Sequence, residues 1–463
     1  MNLIRRRGLL LGSAFGLISG EAMAFGRLGW DFGRLGNEAA SRSILPPSMQ
    51  ANPPDVYVNF RTNQAYRKNL SSTTAAVMVN VTRASAATQV DSTGNWAQFG
   101  SGVLARTNLG ASIWEARTNS IRNNTMAGAV AGTPGTLPTN WTFSGSIGGI
   151  TTSIIGTGTD SGINYIDIQW SGSATGNHTL FFDAAITAAA NSVWSNSFFL
   201  SIQAGSLANV TLTNVANFTG GGTNLSSAVV PATGTLGPQR FSGSCLGAAG
   251  TTAIQPGLNL AATGAVSVTL RIGWPQCELN SNATTAAMGA ASNPILTTSA
   301  AVTRAAEADT LVLTGLPGVG SAATLYARAT PSMPTTAPIN QYILELDDGE
   351  DINQRIVMFR NITGNSQWRY SVSGSNVFTT GGPVQAQGSS VKYALAGTGG
   401  DQAAYYAGTQ ISVGAGVGFP SGLNAVHLGN NPAGANQFNG NLEEIAVWFT
   451  QRVPNATLQA ITT

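Results

Sequence analysis

Side chains that carry protons are what this chain lacks most. Its 463 residues include 22 basic and 20 acidic side chains, two histidines and two cysteines. Acid–base enzymes gather His, Asp, Glu or Lys in one cleft, and so thin a supply favours binding over catalysis. No catalytic residue is assigned. Lysine occurs only at Lys68 and Lys392, the arginines are scattered singly and the net charge is +2, so there is no electrostatic footprint for nucleic acid. No run of about 20 apolar residues follows the N-terminus, which leaves the mature chain without a spanning helix. Neither Cys245 nor Cys277 has a C-x-x-C partner, which argues against zinc and thiol redox chemistry. In an exported chain the two would form a disulfide; in the cytosol they would be buried as small hydrophobes.

In place of charge the chain has 56 glycines, with Ala, Ser, Thr, Asn and Val broken by isolated aromatics. A hydrophobic share of 43% is enough for a core in each of the two or three domains that the length implies. Arg5, Arg6 and Arg7 precede an apolar run over residues 8–20, and Ala22-Met23-Ala24 then supplies small residues for cleavage. That order reads as a secretory signal, and Arg6-Arg7 followed by GLL is close to a twin-arginine pattern. A virion-attachment peptide or uncleaved tail is the alternative for residues 1–24. Residues 25–29 (FGRLG) recur at 32–36, and the composition then drifts through Ser, Pro and Asn. Residues 25–54 therefore read as a low-complexity tether.

From residue 56 onward the pattern is short β-runs cut by Gly, Asn, Ser and Thr. Residues 165–170 (YIDIQW) and 266–274 (VSVTLRIGW) alternate faces, and 193–202 (VWSNSFFLSI) does so more loosely. Residues 280–300 have no period, and alternation resumes at 310–313, 341–346, 355–359, 368–372, 391–395 and 444–449. Asp348-Gly349 and Thr363-Gly364-Asn365 supply turns, and 454–461 suits one short closing helix. The fold class is mostly β: two antiparallel β-sandwich (jelly-roll) domains joined by a linker, after a disordered or extended N-terminal segment.

Three stretches resemble a known family. Residues 114–119 (WEARTN), 122–124 (RNN) and 137–141 (LPTNW) resemble the EARTN segment of phage and prophage tail-fibre or head-spike proteins, where it opens a carbohydrate-binding-module-like jelly roll. The upstream companion is present as 81–86 (VTRASA) with 91–94 (DSTG). Residues 272–279 (IGWPQCEL) resemble the closing strand of that jelly roll, and 301–306 (AVTRAA) the linker after it. Residues 438–448 (FNGNLEEIAVW) look like the final strand of a concanavalin A-like (laminin-G type) sandwich. The resemblance implies a module over 55–282, a linker over 283–305 and a second sandwich over 306–463. Cys277 stands where the family more usually has an apolar residue, which favours the bridge to Cys245. The signal-like N-terminus is the departure, since virion proteins assembled in the cytoplasm need no export.

Residues 345–350 (ELDDGE) match the E-x-D-x-x-E string of a retaining glycosidase family with the concanavalin-like fold. Retaining chemistry needs two carboxyl groups about 5–5.5 Å apart, whereas the Asp348-Gly349 turn would put Glu345 and Glu350 on opposite arms of an exposed hairpin. Calcium is the one cofactor left open, through Asp347, Asp348, Glu350 and Asp351, although a charged hairpin tip explains the cluster equally well. His178 and His427 are too few for a histidine metal site, and His427 reads as a satisfied strand residue.

Trp and Tyr rings stack on sugars, which makes Trp141, Trp170, Trp194, Trp368, Tyr370, Tyr405 and Tyr406 the candidate ligand platforms. Each is weighed against a place in a sandwich core, where Trp274 and Trp448 are assigned. The expectation is a non-catalytic binder of glycans or cell-surface polysaccharide, homo-oligomeric, and virion-associated or exported. The alternatives are a purely structural component packing against neighbouring subunits, and a glycoside hydrolase using Glu345 and Glu350.

Overall fold

A computed structural model describes residues 42–145, 148–350, 352–415 and 418–463. The expected signal or attachment segment, and the tether as far as residue 41, lie outside the described residues. Strands dominate and every pairing between named strands is antiparallel. None of the described helices is long and apolar enough to cross a membrane.

The first sandwich is built around two long strands, Ile163–Phe181 and Ala253–Leu279, paired from Tyr165 opposite Gly273 to Phe181 opposite Gly257. Strands this long serve both layers, and glycine lets them bend. Gly172, Gly176 and Gly264 take φ values of 135°, 129° and 90°, a region closed to most side chains. On one side of the bend the pair is flanked by Gly148–Asp160 and Val193–Gly205, on the other by Thr142–Ser144 and Val210–Thr219. Ile166, Ile168 and Trp170, alternating as their pattern predicts, meet Leu200, Leu212, Leu258 and Leu270 between the layers. Asn196 ties the layers together, its Nδ2 donating to Asn214 Oδ1 at 2.7 Å while Asn214 Nδ2 donates back to the Asn196 carbonyl.

The second sandwich packs a sheet centred on Gly440–Trp448, Ala322–Pro331 and Val391–Thr398 against one containing Gln341–Asp347, Arg355–Arg360 and Asn365–Val372. Val447, Leu325, Leu395, Leu344, Met358 and Trp368 share its core. The Thr363-Gly364-Asn365 turn forms as expected: Asn361 Oδ1 accepts the Thr363 and Asn365 N–H groups, and Gly364 has φ 79°. The closing helix is Asn455–Thr462, entered through Pro454. Its Leu458 and Ile461 cover the outer side of the first sheet, over Tyr405, Trp448 and Ala446.

Three expected boundaries need correction. Strand Val56–Asn59 pairs with Gly440–Trp448, Gly110–Ile113 pairs with the same strand, and Val79–Asn80 pairs with Asp309–Leu311. Residues 56–80 and 106–113 thus complete the second sandwich instead of opening the first, while the hairpin of Ala87–Val90 and Trp96–Phe99 pairs only with itself and lays Trp96 against Phe199 and Trp274 of the first. Local alternation names a strand, not its partner, and these partners lie hundreds of residues away. The tether reading also ends at the described residues, because Leu45 and Met49 are buried beside Leu458 and the Asn52 carbonyl accepts Trp448 Nε1–H. The linker 283–305 is packed too. Asn293 Nδ2 donates to the Thr88 carbonyl, Gln89 Oε1 and Ser112 Oγ, and Val302–Arg304 pairs with Arg117–Asn119.

Candidate functional site

The predicted ring platforms are core. Trp141 packs edge-on against Phe182 and donates to the Asn123 carbonyl, Trp170 donates to His178 Nδ1, and Trp194 donates to Ser192 Oγ. All three belong to the first core. Trp368 and Tyr370 are wholly buried in the second, and Tyr405 lies beneath the closing helix with its hydroxyl on Gln410. Only Tyr406 is half-buried, and its ring meets Trp368 and Tyr393 edge-on. A sugar needs a ring face open to solvent, and among the described residues no Trp, Tyr or Phe is exposed. Trp274 and Trp448 are buried as expected.

The acidic string divides between strand and turn. Leu344 and Leu346 face the core, so Glu345 and Asp347 face the other way, with His427 opposite Glu345 and Arg355 opposite Asp347. Arg355 Nη1 lies 3.5 Å from Glu345 Oε1, and His427 Nε2 lies 3.3 Å from Asp347 Oδ2. The other nitrogen of His427 faces Asn430 Oδ1 at 3.3 Å, so this histidine is a satisfied strand residue. Both carboxylates are fully buried, whereas Glu350 is exposed on the turn made by Gly349. The expectation that Glu345 sits at the hairpin tip is therefore corrected, and no sugar bond fits between a sealed Glu345 and an exposed Glu350. The calcium cluster does not converge either. Asp347 Oδ1 accepts the Gly349 N–H, Asp348 Oδ1 accepts the Glu350 N–H, and Asp351 lies outside the described residues. Among the described residues no group of three or more His, Cys, Asp or Glu is placed to hold a metal ion.

The cysteines are not bonded. Cys245 is opposite Trp194 and Cys277 opposite Asn196, so strand Val193–Gly205 runs between them. Two strand spacings are about 9.6 Å, beyond the roughly 7 Å limit for bridging Cα atoms. Burial pushes the Cys245 thiol up to about 12 and the Cys277 thiol well above its ordinary value.

The polar array that does form lies on the outward face of the first sandwich. Cross-strand pairing sets Asp167 beside Arg271, Gln169 beside Thr269 and Ser171 beside Ser267, with Ser201 opposite Arg271 on the next strand. Arg271 grips both Asp167 oxygens at 2.9 Å and Asp160 Oδ2 at 3.0 Å, and its guanidinium lies 3.6 Å from the Tyr165 ring centroid. Hydrogen bonding to Asp167 is the main cause that raises the Arg271 pKa. The Arg271 side chain keeps 17% of its surface in solvent. Gln203, an exposed residue, donates through Nε2 to Ser201 Oγ at 2.8 Å and to the Gly234 carbonyl at 3.3 Å. Both aspartates are held by Arg271, so the array offers oriented donors and acceptors without a free acid or base. None of these residues was singled out from the sequence. The signal was present: positions 165, 167 and 169 of YIDIQW, and 267, 269 and 271 of the partner strand, are the faces that alternation turns away from the core.

No family model matches the sequence, and no curated protein does. Among solved structures, a carbohydrate-binding module (CBM40) of Ruminococcus gnavus IT-sialidase bound to α2,3-sialyllactose is 16% identical, covering 32% of this chain and 84% of that one, with a TM-score of 0.27. Domain 4 of a GH43 extracellular arabinanase from Geobacillus stearothermophilus, in complex with arabinotriose, is 17% identical over 34% of this chain and 73% of that one, TM-score 0.26. A heptameric SAP-like pentraxin from Limulus polyphemus is 16% identical over 32% and 71%, TM-score 0.25. At scores this low the fold rests on the strand pairing described above.

Proposed function

We propose that this protein is a non-catalytic binder of glycans on a cell surface or in extracellular polysaccharide, of the phage or prophage fibre type, acting on the virion or outside the cell. The observation that carries the reading is the outward array of Tyr165, Gln169, Arg271 and Gln203, set over the buried Asp167 and Thr269. Its guanidinium is fixed by two carboxylates before any ligand arrives, and its amides and hydroxyls match the alternating donors and acceptors of a sugar ring. The mechanism differs from the stacking expected from the sequence, because polar groups replace open rings. Four or five such hydrogen bonds at about 1 kcal/mol each give only about 4–5 kcal/mol, or roughly millimolar affinity per site. Useful adhesion then needs repetition in a homo-oligomer or array, where linked sites raise avidity by about 10²–10⁴-fold. Glycan-array binding by the full chain should be lost in the double variant Gln169→Ala/Gln203→Ala, whose side chains lie at the surface. Unchanged binding in a folded double variant removes this account.

A second reading is a structural component whose sandwiches pack only against neighbouring subunits. The absence of an exposed ring among the described residues favours it. It requires stable assembly by size analysis together with no glycan signal from the unmodified protein.

A further inference from the structure

Where the two sandwiches meet, a recess of about 290 Å³ is lined from one side by Trp114, Arg240 and Asn293 and from the other by Thr330, Ser332 and Gln387. Its volume lies at the bottom of the range for ligand pockets, so it suits a small group. Three backbone acceptors around it are already used within the protein. The Ser332 carbonyl takes Gln387 Nε2–H at 2.6 Å, the Pro331 carbonyl takes the Gly388 N–H at 2.8 Å, and the Asn293 carbonyl takes Arg304 Nη1–H at 3.1 Å. Thr330 Oγ1 donates to Glu443 Oε1, and the Asn293 amide donors are spent on Thr88, Gln89 and Ser112.

Donors are what remain. Trp114 is 3% exposed, and its Nε1–H has no acceptor. Arg240 donates through Nη2 to Ser197 Oγ at 2.9 Å, but its Nε–H is buried without a partner. Among the described residues no carboxylate is within 4.0 Å of Arg240, so its charge is not closed by an ion pair. A second guanidinium, that of Arg304, lies 5.5 Å from the Trp114 ring centroid, behind the recess, where Glu307 and Glu278 offset its charge. Burial pushes Arg240 down to about 10, Glu278 opposes that shift and Arg304 adds to it. A recess with two unpartnered buried N–H donors, one of them on a guanidinium with no ion pair, and with its nearby carbonyls engaged is complementary to an acceptor-only anion.

We infer that this seam recess is a second binding site, separate from the outward array, which takes the carboxylate of a small acid or of one acidic sugar residue. The carboxylate accepts from Trp114 Nε1–H and pairs with Arg240, while the sugar hydroxyls meet Ser332 and Gln387. The test uses the full chain titrated with glucuronate, with glucose as the neutral counterpart and with an oligo-glucuronate, followed by calorimetry and by ligand-detected NMR. Glucuronate binds and glucose does not. Trp114→Phe keeps a six-membered aromatic ring, removes the indole N–H together with the five-membered ring that carries it, and weakens glucuronate about 10-fold. Arg240→Gln abolishes binding, and Gln169→Ala/Gln203→Ala leaves it unchanged. That last arm separates this site from the outward array, so either can fail alone. Tighter binding of the oligomer assigns a polysaccharide as the source, and equal binding assigns a free acid. Equal binding of glucose and glucuronate to the unmodified protein, which needs no variant to fold, overturns the inference, as does unweakened binding by Trp114→Phe.

Discussion

Asp309 makes the stability of this protein depend on pH in a direction unusual for an aspartate. It is 1% exposed, at the start of the strand Asp309–Leu311. Its Oδ1 accepts the Thr82 N–H at 3.2 Å, but Oδ2 is buried without a partner. Burial, reinforced by the neighbouring Glu307 carboxylate, raises its pKa to about 7, against the partial relief given by the Thr82 N–H and Arg83. Because the folded value lies above the unfolded one, the folded state holds a proton that the unfolded chain has lost. The stabilisation is complete below about pH 4 and disappears as the pH rises through 7. A difference of about three units corresponds to about 4 kcal/mol. Asp309→Asn keeps an oxygen for Thr82 and never ionises, so it should be the more stable protein at pH 8 by about 2–4 kcal/mol. At pH 4 the two should be nearly equal. Urea unfolding of both proteins at pH 4, 5.5, 7 and 8 reads this directly. Parallel stability curves, or an asparagine variant that is weaker at pH 8, would refute the reasoning.

Other outcomes follow from particular contacts. Both thiols should resist a thiol reagent in the native protein and react only after denaturation, giving two free thiols with no reductant added; a titre of zero would mean that the cysteines are bonded after all. Leu458→Ala empties a wholly buried site under the closing helix and should cost about 2–5 kcal/mol by chemical denaturation, while exposed Gln459→Ala should cost less than about 0.5 kcal/mol. Asn119→Leu strips partners from the Ile121 and Cys277 N–H groups and from the Pro275 and Ile295 carbonyls, and should cost about 3 kcal/mol or more. Gly205→Ala forces a side chain into φ 75°, with its Cβ 1.9 Å from the Ser267 carbonyl oxygen, and should lower the melting temperature by several degrees.

Alternation made the strands legible, because period two sorts side chains by face without reference to the remainder of the molecule. The alternation of YIDIQW separated Ile166, Ile168 and Trp170 from Tyr165, Asp167 and Gln169, although it left Trp170 as a ligand candidate, and the Asp348-Gly349 and Gly364 turns fell where their backbone demands put them. Partners were not legible. Nothing local in residues 56–59 (VYVN) says that Ile445 and Val447 lie alongside, and the module boundary was misplaced for that reason. The rings misled because size and aromaticity suit a sandwich interior as well as a sugar. The EARTN segment proved informative in another way. Arg117 donates to Asn280 Oδ1, and Asn119 with Asn124 stitches the jelly roll to residues 295–297. That stretch is a buried hydrogen-bonded seam, so its amides and guanidinium are structural parts. Arg271 and Gln169 could have been found by asking which side of each alternating strand carries the polar atoms.

The pairing of Val56–Asn59 with Gly440–Trp448 has a consequence for biosynthesis. One side of a central strand leaves the ribosome early, and its neighbour is almost the last segment to appear. At about 5–20 residues per second, the early segment waits roughly 20–80 s with its hydrogen-bonding edge bare. The jelly roll between them can close in that interval, but the surrounding sandwich cannot. For the whole of that delay the second sandwich stays open along the edge that residues 440–448 will cover.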